Sequence, residues 1–147
     1  MADITTTYGA ATAITITAAS LANGSARQSA AVENTSNFLD CLVQLYGSSA
    51  TAGPVYVYVY SSIDGTNYTD GATGSDAAFT MPTGVNLPLL GVFNAPTSAK
   101  ASREMSVADL FGGVMPQKWG LVLVNSTGGT LGGTFTAQYK GIKNSVA

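Results

Sequence analysis

The chain has 147 residues, a formal net charge of −2, 10% charged residues, 46% hydrophobic residues and no histidine. This length fits one domain, and the apolar content excludes bulk disorder. The composition excludes catalysis by imidazole and metal centres built on clustered His and Cys. Its six cations (Arg27, Lys100, Arg103, Lys118, Lys140, Lys143) stand singly, so no basic stripe for nucleic acid is expected.

The apolar runs fall far short of the ~20 residues that cross a bilayer, so no membrane partner is expected. Met1-Ala2-Asp3-Ile4-Thr5 lacks the basic-then-apolar order of a secretory signal. Residues 1–12 are polar and Thr-rich and read as an N-terminal arm or edge segment. The remaining residues, 13–147, read as a single β-sandwich domain.

Along that domain, short alternating segments are punctuated by Gly, Asn, Asp and Pro. Residues 13–18 alternate weakly and end at the Asn23-Gly24 turn signal. Residues 27–33 predict the next strand, and 34–37 a loop. Residues 38–46 predict a strong strand, with Leu39, Cys41, Val43 and Leu45 on one face. The clearest strand is Pro54-Val55-Tyr56-Val57-Tyr58-Val59-Tyr60. Period two puts its valines toward the core and its tyrosines on the opposite face, where apolar rings with polar tips suit a subunit interface.

The run Ser61 to Tyr68 reads as a hairpin, with Asp64-Gly65 as its turn and Tyr68 restarting a short strand. Residues 69–78 read as a polar loop, 79–82 as a short edge piece, and 86–94 as a strand entered through Pro88. After the connection 95–102, a strand to about Val107 and one helical turn stopping at Gly112-Gly113 are expected. Residues 119–125 and 133–142 close the fold, and Trp119 reads as core. The sum is an all-β protein: an antiparallel, jelly-roll-like β-sandwich of about eight strands, with Greek-key crossings at the longer connections.

No catalytic, metal-binding or cofactor-binding residues emerge, and no enzyme activity or cofactor is expected. Asp40 is the odd acid, on a strand face beside Phe38 and Leu42. The run Asp64 to Asp70 has oxygen donors but lacks the acidic density and final Glu of a calcium loop. The single cysteine, Cys41, sits in an apolar run and reads as a buried, inert thiol.

Three segments carry a resemblance. They are the run from Ser61 to Gly71, Leu87-Pro88-Leu89-Leu90-Gly91-Val92, and the run from Ser106 to Gly120 that holds Ala108-Asp109-Leu110-Phe111-Gly112-Gly113 and Pro116-Gln117-Lys118-Trp119. Together they resemble small virion proteins of tailed bacteriophages, and most of all capsid decoration, or cement, proteins. The resemblance implies a β-sandwich, often trimeric, on the outer capsid surface, made in the host bacterial cytoplasm. Its implied partners are the major capsid protein and copies of itself. Ile4 and Tyr8 of the arm, with Tyr56, Tyr58 and Tyr60, are the candidate interface residues. The arm is expected to dock on a neighbour by adding a strand to an open edge. A tail, neck or fibre-associated protein and a carbohydrate-binding sandwich are the alternatives.

Overall fold

The computed structural model describes residues 2–146, which form two antiparallel sheets. The first contains β1 (Ile4–Tyr8), β2 (Thr12–Ile14), β5 (Asp40–Gly47), β9 (Lys100–Ala101), β10 (Met105–Ser106) and β12 (Thr136–Val146). The second contains β3 (Ala26–Gln28), β4 (Val32–Glu33), β6 (Gly53–Ser62), β7 (Ala77–Phe79), β8 (Leu89–Ala95) and β11 (Lys118–Asn125). In the first sheet β12 lies between β5 and the β1/β2 edge; in the second, β11 lies between β3 and β6. Such neighbours are distant in sequence, so the fold is a crossed sandwich and not a meander. Three pairs of short segments share one neighbour each: β1 and β2 on β12, β3 and β4 on β11, and β9 and β10 on β5. Merging them leaves nine strands, close to the number read from sequence. Among the described residues no helix is long and apolar enough to cross a membrane.

Alternation builds the core. Val55, Val57 and Val59 of β6 face Cys41, Val43 and Leu45 of β5 across the gap, joined by Leu121 and Leu123 of β11 and by Trp119. Leu39, expected on that apolar face, lies before β5 and is half-exposed. Its N–H is instead spent on the carbonyl of Ile142, which ties the incoming loop to β12. The helical turn is the 3-10 turn Ala108–Phe111, ended by Gly112 in the left-handed conformation that glycine adopts without strain.

A second apolar cluster covers the outer face of the β6 sheet, and it corrects two expectations. Tyr68 does not restart a strand: it precedes the 3-10 turn Thr69–Gly71 and packs edge-on against Tyr60, with centroids 5.4 Å apart. Tyr60 does not face a partner: it is fully buried beneath Tyr68, Ala72 and Leu87. Its ring occupies the space over its cross-strand neighbour Gly120, where any Cβ would collide with it. Its hydroxyl donates to the Ser29 carbonyl at 2.7 Å. Burial pushes the Tyr60 phenol up to about 12.

Candidate functional site

The N-terminal segment is not a free arm; it forms the edge of its own sheet. Thr12 pairs with Tyr139 and Ile14 with Ala137, whereas Tyr8 pairs with Ile142 and Ile4 with Val146. The two registers differ by one residue. Residues 9–11 therefore form a bulge opposite Lys140 and Gly141. The Phe38 ring covers this point: a Cβ on Gly9 would sit 3.1 Å from its Cζ, and one on Gly141 would collide with the ring. Phe38 is itself held by Asn34, whose Oδ1 accepts the Phe38 N–H at 2.8 Å and whose Nδ2 donates to the Phe38 carbonyl at 2.9 Å.

Beyond this clamp, residues 143–146 of β12 have only β1 beside them, because β5 begins at Asp40 opposite Ile142. The result is a two-stranded ribbon. Ile4 (71% exposed), Val146 (70%) and Tyr8 (63%) lie along one of its faces, since cross-strand partners share a face.

Three loops gather at the same end of the sandwich. Lys118 at the start of β11 pairs with both Glu33 and Ser62, and the Asn34 N–H donates to the Gln117 carbonyl. Leu39 and Val114 line one shallow cleft there. Leu39, Val114 and Ile63, the last fully exposed, project from these loops. With the ribbon, this end carries six of the ten exposed large apolar side chains among the described residues. Sequence reasoning found Ile4 and Tyr8 here and missed the others. The available signal was a large apolar residue placed inside turn chemistry, as Ile63 is before Asp64-Gly65.

The loops are ordered by carboxylates. Asp64 accepts hydrogen bonds from the Asn67 N–H and side chain, the Thr66 N–H and the Ser62 hydroxyl, and these hold it well below the usual carboxylate range. Asp40 accepts from the Cys41 and Ala108 N–H groups and from the Ser106 hydroxyl at 2.6 Å, which fixes the 3-10 turn Ala108–Phe111 to β5. Partial burial raises Asp70 and Asp76, yet both end below their ordinary value. Asn86 and the Leu87 N–H outweigh burial at Asp70; Arg27 and Thr17 do so at Asp76, whose Oδ1 lies 2.8 Å from Arg27 Nε. Turn organisation thus uses the oxygens of Asp64 and Asp70. Among the described residues no group of three or more acidic or Cys side chains converges to hold a metal.

Tyr56 and Tyr58 remain half-buried on the outer face of the second sheet. Tyr56 lies between Val124 and Val92, an apolar cross-strand row that is partly open to solvent. Trp119 is fully buried, edge-on to Tyr139 with centroids 5.6 Å apart, and so offers no platform to a sugar. Its indole N–H is the one buried side-chain polar atom without a hydrogen-bond partner among the described residues. Burial, with the nearby Asp40 charge, pushes the Cys41 thiol up to about 12. No family model, curated protein or solved structure matches this chain.

Proposed function

We propose that this chain is a non-enzymatic virion structural protein of a tailed phage that binds the outer capsid surface and stabilises the shell. Its partners in this reading are the major capsid protein and further copies of itself, reached after synthesis in the host cytoplasm. The reading starts from the resemblance of three segments to capsid decoration proteins. One structural observation supports it: exposed apolar side chains concentrate at one end, three of them (Leu39, Ile63 and Val114) on loops beside the Asp40 and Asp64 hydrogen bonds. Anchors that are already ordered lose little entropy on docking. A modest surface repeated across a lattice then gains strength through avidity.

Quantitative protein measurement on purified particles tests the reading. The expected result is a copy number on the scale of the shell protein, with release of the protein when Ile63 and Val114 are both changed to Asp. A few copies per particle would replace decoration by a tail or neck role, and absence from the particle would overturn the virion assignment.

A further inference from the structure

Natural sheets guard their edges with short strands, charges, prolines or bulges, because an open edge recruits other strands. Three of the four edges here are guarded. β9 and β10 are two residues each, among Lys100, Arg103 and Glu104. β7 has three residues and is followed by Pro82. β8 runs between Pro88 and Pro96 and is offset by an irregularity in its pairing with β6. β1 differs. Ile4-Thr5-Thr6-Thr7-Tyr8 is five residues of high β-propensity, without a charge, a proline or an internal break in register.

The direction of its free hydrogen-bonding groups follows from the pairing. The Gly9 N–H donates to the Gly141 carbonyl on β12. Alternation then turns the backbone groups of Thr5 and Thr7 toward β12, and those of Ile4, Thr6 and Tyr8 outward. β12 agrees, since its Ile142 carbonyl faces the opposite side and accepts from Leu39.

We propose that two copies of this chain pair through their β1 edges, antiparallel about a two-fold axis at Thr6. This register places Ile4 opposite Tyr8 of the second copy and Thr6 opposite its own counterpart. Every outward N–H then meets an outward carbonyl. The occupant is set by self-complementarity: the pairing joins aromatic to β-branched and Thr to Thr, combinations that stabilise antiparallel strands, and one patch serves both copies as a closed two-fold interface requires. It also makes one apolar row across four strands. Val146 and Ile4 of one copy would be continued by Tyr8 and Ile142 of the other, setting side by side the exposed Ile4 and Tyr8 of the two chains. The dimer is independent of the virion reading, and a failed particle assay leaves it standing. It differs from the trimer implied by the resemblance.

Light scattering during size-exclusion chromatography of the full chain, from about 1 μM to 1 mM, tests the pairing. The expected mass rises with concentration from 14.9 kDa toward twice that value. Thr6→Pro removes an N–H that points away from β12, together with one exposed hydrogen bond from Thr6 Oγ1 to Asn144. Proline is tolerated on an edge strand in that orientation. This variant is expected to melt as the wild type does at concentrations where both are monomeric, and to stay monomeric throughout. Thr6→Lys, which sets like charges against each other at the axis, is expected to weaken dimerisation at least tenfold. A wild-type chain that stays monomeric, a dimer undiminished in both variants, or a trimer would each overturn the proposal.

Discussion

β12 is one strand in two settings. Residues 136–142 lie against β5 on one side, with β2 against 137–139 on the other, and they bury Ala137 and Gly141. Residues 143–146 have β1 alone and are all exposed. Backbone pairing continues through both parts, so hydrogen bonding does not distinguish them. Burial does. A pair of strands without a covered face is marginal in water, so the outer half depends on the Phe38 clamp at its base, and the inner half on the core.

Substitutions separate the two halves. Leu45 sits opposite Ala137 in the covered half and is fully buried. Leu45→Ala is expected to cost about 2–5 kcal/mol in urea unfolding, the range for a core truncation that leaves a cavity. At the boundary, Gly141→Ala sets a Cβ against the Phe38 ring. The expected loss is about 1–3 kcal/mol, as for overpacking, and the amides of Thr5 and Thr7 should lose exchange protection ahead of the core. Asn34→Ala removes the two hydrogen bonds that hold Phe38 and is expected to cost about 1–2 kcal/mol, with the same early loss at the ribbon.

Acid discriminates in the other direction. Asp64, Asp70 and Asp76 titrate below their ordinary values in the folded chain, so their stabilisation is complete above about pH 4 and is lost as pH falls through the folded values. All three belong to body loops. A thermal-melt series from neutral pH downward should therefore decline below about pH 4, and the decline should be smaller in Asp76→Asn, which no longer titrates there. The smallest effect belongs to the ribbon itself. At concentrations where the chain is monomeric, Ile4→Ala is expected to shift global stability by no more than about 0.5 kcal/mol, the ordinary range for an exposed site. A larger loss would show that the ribbon shares the stability of the core.

Alternation made the fold class legible. Val55, Val57 and Val59 announced a core face, and Gly112-Gly113 announced the end of the 3-10 turn. What stayed hidden depends on contacts between residues far apart in sequence. Tyr60 looks identical to Tyr56 and Tyr58 along the strand; its burial follows from Gly120 and the Ser29 carbonyl, which no local pattern reveals. Leu39 continued the period of β5, but its N–H was already committed to Ile142. β12 runs on to Val146 because β1 supplies a partner there, although Lys143-Asn144-Ser145 shows no alternation of its own. The edge residues Ile4 and Tyr8 were legible as exposed apolar groups, whereas the strand they belong to was not separable from an arm.

Cys41 has a consequence for where the chain can work. It is the sole cysteine, sealed between the sheets and held as a neutral thiol at physiological pH. No intrachain crosslink can be made or broken, and the sulfur is out of reach of glutathione or peroxide while the fold is intact. Thiol–disulfide exchange with the surroundings therefore has no grip on this fold: passage from a thiol-reducing interior to a disulfide-forming medium leaves its covalent framework as it was.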